Sequence, residues 1–398
     1  MMKSLRLTLG ALLAVLALAG CDEAPQVIGP KIETPPSSPT PVKPLKIGVY
    51  LPLEGVMAAS GDSMLNGLVI AAEQANAAGG VLGHPVQLVV RDTKSQPDRV
   101  AKAVSDLITK DEVICLIGGL TGGGAEASAI AAESEIPLLA PGSTMPGVPS
   151  SEPWTIRLCY SDFLSGRVMA KFADSLAAKH AVVLYELDSD YAKALALSFG
   201  KSFKSKRGNK ISGEPFLTGT TDFHEHIEEI KKLNPDVVYL PSDASLAAAI
   251  LVQARAAGLE MPFLGTATWD TEEFLKESAE ASRNCYLPGR YVPLSGRKVP
   301  SDETETSRAF LAGYLEKYKK APGAMSAIGY DALRTFLEAY KNAQGQKGEP
   351  LRSLLVETTN FEGATGPITI DPALAVSKAI PILTVKDGDF WFVETLVP

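Results

Sequence analysis

The sequence predicts an α/β fold of two doubly wound parallel-sheet lobes joined by a three-crossover hinge, a clamshell. Three observations predict it. Short apolar strands alternate with helices of 3.6-residue periodicity, the pattern of a parallel sheet covered on both faces. The rhythm pauses after Leu158 and starts again at Ala181, so there are two sheets. From Tyr286 the chain returns to helices and then to strands, which completes one lobe and then the other; crossings are expected near Leu158, Leu287 and Gly366, under a cleft.

The ends bound the fold. With 398 residues the chain is long enough for two domains. The formal charge is −8, and loss of residues 1–20 removes Lys3 and Arg6 and no acid, leaving −10, which argues against a nucleic-acid partner. Residues 1–20 read as an export signal: a basic start, an apolar run from Leu7 to Leu18 that is short for a bilayer span, then small residues. Leu18-Ala19-Gly20-Cys21 resembles the bacterial lipobox, which implies a lipid on Cys21 and attachment to the cell membrane on its outer side. Asp22 hints at retention on the inner membrane. Residues 21–44 hold Pro25, Pro30, Pro35, Pro36, Pro39, Pro41 and Pro44 among Ser and Thr, and are expected to form an extended tether that buries no core.

The elements follow in order. A strand over 46–50 leads to a helix over 63–78, whose apolar Leu65, Leu68, Val69, Ala72 and Ala75 share a face and which stops at Gly79-Gly80. A strand over 86–90 precedes a helix capped by Asp98, then come a strand over 113–117, an alanine-rich helix, a short strand ending at Ala140 and another over 154–158. Beyond a helix over 162–179, strands are expected at 181–185, 211–217, 237–240 and 263–264, with helices over 191–205, 222–233, 244–257 and from Thr271. Helices over 301–319 and 324–344 and strands over 368–370, 380–386 and 390–393 close the chain. Lobe 1 is assigned to 45–158 and 288–366, lobe 2 to 159–287 and 367–398.

The chain is organised around residues 113–144. Strand 113–117 runs into the glycine-rich Gly118-Gly119-Leu120-Thr121-Gly122-Gly123-Gly124, and the next strand runs into Ala140-Pro141-Gly142-Ser143-Thr144. In an open α/β sheet ligands meet the loops beyond the carboxyl ends of strands, where helix N-termini offer free N–H groups. Thr121, Ser143 and Thr144 add hydroxyl donors suited to a small carboxylate. Glycine here equally serves tight turns and close helix packing.

Other chemistry has little support. There is no phosphate-binding Gly-x-x-x-x-Gly-Lys loop, no dinucleotide fingerprint and no nucleophile elbow, so no enzyme, cofactor or metal is expected. His224 and His226 read as solvated, and His84 and His180 are isolated. Cys115, Cys159 and Cys285 cannot all pair within one chain, and Cys115 at least reads as a small buried hydrophobe.

The motifs resemble those of type I periplasmic binding proteins, in particular the leucine/isoleucine/valine-binding group that serves ABC transporters. The carrying residues are Lys46-Ile47-Gly48-Val49-Tyr50-Leu51-Pro52-Leu53, Asn66-Gly67 through Asn76-Ala77-Ala78-Gly79-Gly80-Val81, Arg91-Asp92 with Pro97, Thr221-Asp222-Phe223, Pro235-Asp236-Val237-Val238, Gln253 through Leu259, and Gly366-Pro367-Ile368 with Asp371. The resemblance covers residues 44–398. It implies that Thr121 or Gly122, with Gly142, Ser143 and Thr144, hold a ligand carboxylate, that Ser60 stands where the family often has an aromatic wall, and that Tyr191 covers the ligand on closure. It also implies a membrane permease and ATPase as partners, a small-molecule ligand and a monomer. The family's acid for the ligand ammonium falls on Ala267. Asp270, beside Trp269, either bends inward as its substitute or caps the helix from Thr271. The ligand is then a branched-chain amino acid or a related solute, with an aromatic or keto acid, or a sensing role, as alternatives.

Overall fold

Strand residues of alternating direction divide each sheet between two cores. The computed structural model describes residues 25–29, 42–120, 122–142, 153–292, 304–372, 374–376 and 378–397. The first half holds β1 (Gln26–Ile28), β2 (Leu45–Leu51), α1 (Ala58–Ala77), β3 (Val86–Asp92), α2 (Asp98–Thr109), β4 (Leu116–Gly118), α3 (Gly124–Glu133), β5 (Leu138–Ala140) and β6 (Thr155–Arg157). The strand order is β1-β3-β2-β4-β5-β6, parallel except for β1. Leu88, Val90, Ile117 and Leu139 face one core, while their neighbours Val89, Leu116 and Leu138 face another beneath α2 and α3. Period-two alternation thus gives one sheet two buried faces.

The second half repeats the plan with α4 (Asp162–Ser175), β7 (His180–Glu186), α5 (Asp190–Lys204), β8 (Lys210–Phe216), α6 (His224–Leu233), β9 (Val237–Tyr239), α7 (Ala244–Ala256), β10 (Phe263–Leu264), α8 (Glu272–Ser278) and β11 (Cys285–Pro288). Then follow α9 (Glu305–Tyr318), α10 (Ala324–Asn342), α11 (Glu349–Val356), β12 (Phe361–Gly363), β13 (Gly366–Ile368), β14 (Ile380–Lys386) and β15 (Asp389–Leu396). The second sheet runs β15-β14-β11-β10-β9-β7-β8, with β14 and β15 antiparallel. Val182, Leu184, Val238 and Phe263 face one core and Ala181, Val183, Val237, Tyr239 and Leu264 the other.

The chain passes between the halves three times. Leu158 belongs to the first core and Tyr160 to the second, Leu287 to the second and Tyr291 to the first. The third passage lies between Val376 of the first core and Ile380 of the second, later than Gly366, because the β12–β13 hairpin stays on α10 of the first half.

Several motif residues are scaffold pins. Asn76 brackets Val86, accepting its N–H at 2.7 Å and donating to its carbonyl at 2.9 Å. Asp92 accepts from the Leu53 and Lys94 amides and so fixes the loop after β2. Asp236 accepts the Lys179 and His180 amides, which lowers its carboxyl below the usual range, and Gln253 accepts from Phe223 while donating to Thr221.

Some expectations change. Helix α1 begins at Ala58, before the expected Ser63, and α2 is preceded by Pro97, with Asp98 its first residue and no side-chain cap. Helix α11 was not expected. His226 is half-buried against Glu214, 2.8 Å away, rather than solvated. Cys115, Cys159 and Cys285 are buried, and no disulfide joins any two of them. The tether is more than a spacer: Gln26, Val27 and Ile28 pair antiparallel with Val90, Val89 and Leu88, and Ile28 packs on the first core. Prolines flank this strand without interrupting it, the position in which an edge strand tolerates them.

Candidate functional site

Strands β4 and β5 end side by side, and their following loops meet. A Cβ on Gly142 would lie 2.3 Å from Leu120 Cδ2, so Leu120 is seated on the glycine. Gly123 has φ +85°, and a Cβ there would fall 2.7 Å from the Pro97 carbonyl oxygen, so this glycine closes the turn against α2 and opens α3 without a side-chain cap. The first-turn N–H groups of α3, at this end of the sheet, have no partners within the helix. Gly122 lies against Pro97. The glycine run therefore serves packing as well as access.

Of the residues expected to hold a ligand, Gly122 and Gly142 are placed here, while Thr121, Ser143, Thr144 and the lipidation candidate Cys21 lie outside the described residues. Ser60 is in the first turn of α1, half-buried, rather than in a loop.

The second half contributes loops from the carboxyl ends of β7, β10 and β11. Tyr191 is the second residue of α5, whose N-terminus is capped by Ser189, and its ring packs half-buried on the second core. Trp269 does not line an opening. Its indole is fully buried, donates to the Ser242 carbonyl at 3.1 Å and stacks on Phe274 at 4.9 Å. Trp269 anchors the loop that presents Ala267 and Asp270.

Asp270 is not the cap of α8; Thr271 is, its hydroxyl accepting the Phe274 amide. The Asp270 carboxylate turns inward and accepts the Arg290 backbone N–H at 3.1 Å. Burial pushes its carboxyl up to about 6, against the lowering pull of Arg290. The Arg290 side chain, 4% exposed, donates through Nη1 to the Ala267 carbonyl. Burial works against its charge, but Tyr160, Asp270, Cys159 and Tyr191 outweigh that and keep it charged. Sequence reasoning missed Arg290: it stands just beyond β11, and its partners are distant in the chain.

The passages are tied to this cluster and to each other. The Tyr160 hydroxyl meets the Pro288 and Gly289 carbonyls, and the Gly289 amide donates to Pro381. At the third passage Lys378 donates to the carbonyl and hydroxyl of Thr365, whose amide and hydroxyl donate to Asp331. Burial raises the Asp331 carboxyl and lowers the Lys378 ammonium, each opposed by the other's charge.

Among the described residues there is no group of three or more metal-ligating side chains. A hollow of about 700 Å³ lies elsewhere, between the tether strand, β3 and α2; Pro25, Gln26, Arg91, Asp92, Lys94 and Lys102 line it, and none of the described residues of loops 118–124 and 140–142 does.

Comparisons with known proteins agree with this architecture. The periplasmic binding protein family profile matches residues 44–389. The Leu/Ile/Val-binding protein of Escherichia coli is 25% identical over 332 residues, 82% of this chain and 86% of that one. The leucine-binding protein LivK of Thermotoga maritima superposes with a TM-score of 0.78 at 30% identity, covering 89% of this chain and 99% of that one. The branched-chain amino acid transporter substrate-binding protein LivJ of Streptococcus pneumoniae, solved with isoleucine, superposes with a TM-score of 0.79 at 29% identity over 89% and 100% of the two chains. With two doubly wound sheets, three passages and a profile match across both halves, the chain belongs to the periplasmic binding protein family, a family of solute-binding proteins rather than enzymes.

Proposed function

We propose that the chain is the extracytoplasmic solute-binding component of an ABC transporter and that its halves close on a small carboxylate-bearing solute, a branched-chain amino acid or a related acid. The observation that carries this reading is the meeting of the loops after β4 and β5, with Leu120 seated on Gly142 at the carboxyl edge of the first sheet. The hydroxyls of Thr121, Ser143 and Thr144 and the backbone of Gly122 and Gly142 then hold the carboxylate. Tyr191 covers it from the second half, and Ser60 borders it. Relatives named for leucine, isoleucine and valine binding support an amino-acid-like solute. In this reading residues 1–20 are a signal peptide, Cys21 carries lipid, and the lobes are residues 45–158 with 288–376 and residues 159–287 with 378–398. Hinge closure around a ligand is the established transition of periplasmic binding proteins.

Thermal unfolding of residues 22–398 against aliphatic amino acids, their deaminated counterparts and aromatic acids tests it, since a solute that binds only the folded state raises the midpoint. A raised midpoint that Thr121→Ala with Thr144→Ala abolishes is the expected result. An unchanged affinity in that double variant would remove the site assignment. Lipid on Cys21 is tested separately by mass spectrometry of protein made in a lipoprotein-competent host.

A further inference from the structure

We infer that Arg290 is the ligand-selecting cation of the second half, and that the solute carries an oxygen acceptor, a 2-oxo group or a second carboxylate, where an amino acid carries its ammonium. The inference rests on the reading of the cleft as a carboxylate site and extends it to the other end of the solute.

The first observation is an orphaned donor. Arg290 is almost wholly buried and spends Nη1 on the Ala267 carbonyl, while Nε has no hydrogen-bond partner among the described residues. A guanidinium has five N–H donors and no acceptor, and a buried donor left unmade is costly. An incoming oxygen removes that cost.

The second is position. Tyr191 follows β7, Ala267 and Asp270 follow β10, and Arg290 follows β11, so residues beyond the carboxyl ends of three parallel strands gather around Arg290: Ala267 accepts from its guanidinium, Asp270 from its backbone amide, and Tyr191 acts on its charge. That is where an open α/β sheet receives its ligand.

The third is charge. Asp270 is the carboxylate acting on Arg290, and its Oδ2 is already engaged by the Arg290 backbone amide. Ala267 offers a methyl group. An ammonium placed here would meet a like charge in a poorly solvated site, whereas a carboxylate or keto oxygen would complete the planar fork.

The test is calorimetric titration of residues 22–398 with leucine, 4-methyl-2-oxopentanoate, succinate and benzoate. The 2-oxo acid or succinate is expected to bind roughly tenfold or more tightly than leucine and benzoate, the better of the two separating a keto from a second carboxylate acceptor. Arg290→Met should weaken that solute by roughly 10- to 100-fold, the worth of a charge-assisted hydrogen bond. Arg290→Lys, which retains charge without the fork, should narrow its preference over leucine, and it decides the matter if Arg290→Met fails to fold. Tightest binding by leucine or benzoate, no binding by any of the four, or selectivity unchanged in both variants overturns the inference. Gly142→Val separates the two readings. Loss of affinity in it but not in the Arg290 variants leaves the carboxylate site standing and removes Arg290; the reverse keeps Arg290 and removes the first-half site.

Discussion

The Tyr160 hydroxyl lies 3.0 Å from the Pro288 carbonyl oxygen and 3.1 Å from that of Gly289, so one buried side chain joins the first passage between the halves to the second. Tyr160→Phe deletes the donor and leaves two buried carbonyls short of a partner. Urea unfolding should show a loss of about 1–2 kcal/mol. An unchanged midpoint would mean that packing alone holds the passages together.

Asp331 and Lys378 make a graded prediction at the third passage. The Asp331 carboxylate accepts from the Ala364 amide at 2.6 Å and from the Thr365 amide and hydroxyl at 2.9 and 2.6 Å. Asp331→Ala strips three donors and uncovers the Lys378 charge, at a cost of about 3–5 kcal/mol. Lys378→Met leaves those three bonds in place and should cost less. Denaturant titration giving the opposite order would show that the lysine, not the carboxylate, organises the hairpin.

Asp270 gives the apo protein a pH signature. Its carboxyl titrates at about 6 in the fold, against about 3.9 in an unfolded chain. Between those values the unfolded state has released the proton that the folded state keeps. Its contribution therefore falls as pH rises from about 4 to about 6, by about 3 kcal/mol, and is level above that. Stability of Asp270→Asn relative to the parent should rise across this window. A difference constant from pH 4 to 7 would place Asp270 outside the buried environment described.

The tether strand should matter to the fold. Removing residues 22–41 uncovers the edge of β3 that pairs with Gln26, Val27 and Ile28. Amide exchange in β3 should quicken, with a stability loss of about 1–2 kcal/mol relative to a chain starting at residue 22. Identical exchange in the two chains would return this segment to the role of a plain spacer.

Both sheets were legible because each strand carries its own pattern: Leu88, Val89 and Val90 assign themselves to two faces without reference to the rest of the chain. Features that depend on distant partners were not. The start of α1 at Ala58 has no side-chain cap to announce it, and the turn that keeps β12–β13 on the first half is set by Asp331, far back in the sequence. The tether strand is hidden among prolines, where composition argues for an extended spacer and only pairing with Val89 and Val90 shows otherwise. Within the site, Gly142 and Asp270 could be named from loop position and a missing acid at Ala267. Trp269 could not be placed, since an aromatic beside a cleft loop reads the same whether it faces out or, as here, in. Arg290 gave no signal, because its role exists only where the loops after β7, β10 and β11 meet.

Closure of the two halves on a solute is the central claim, and an interlobe distance measures it. Val56, 92% exposed in the loop after β2, and Leu187, 45% exposed after β7, sit at the carboxyl edges of the two sheets and can each carry a spin label through a cysteine. The native Cys115, Cys159 and Cys285 are buried, which protects them from labelling. Pulsed electron resonance on the doubly labelled residues 22–398 should show the distance shorten when the tightest solute of the titration panel saturates the protein. A distance that stays the same under saturation would contradict closure and place the solute somewhere other than between the halves.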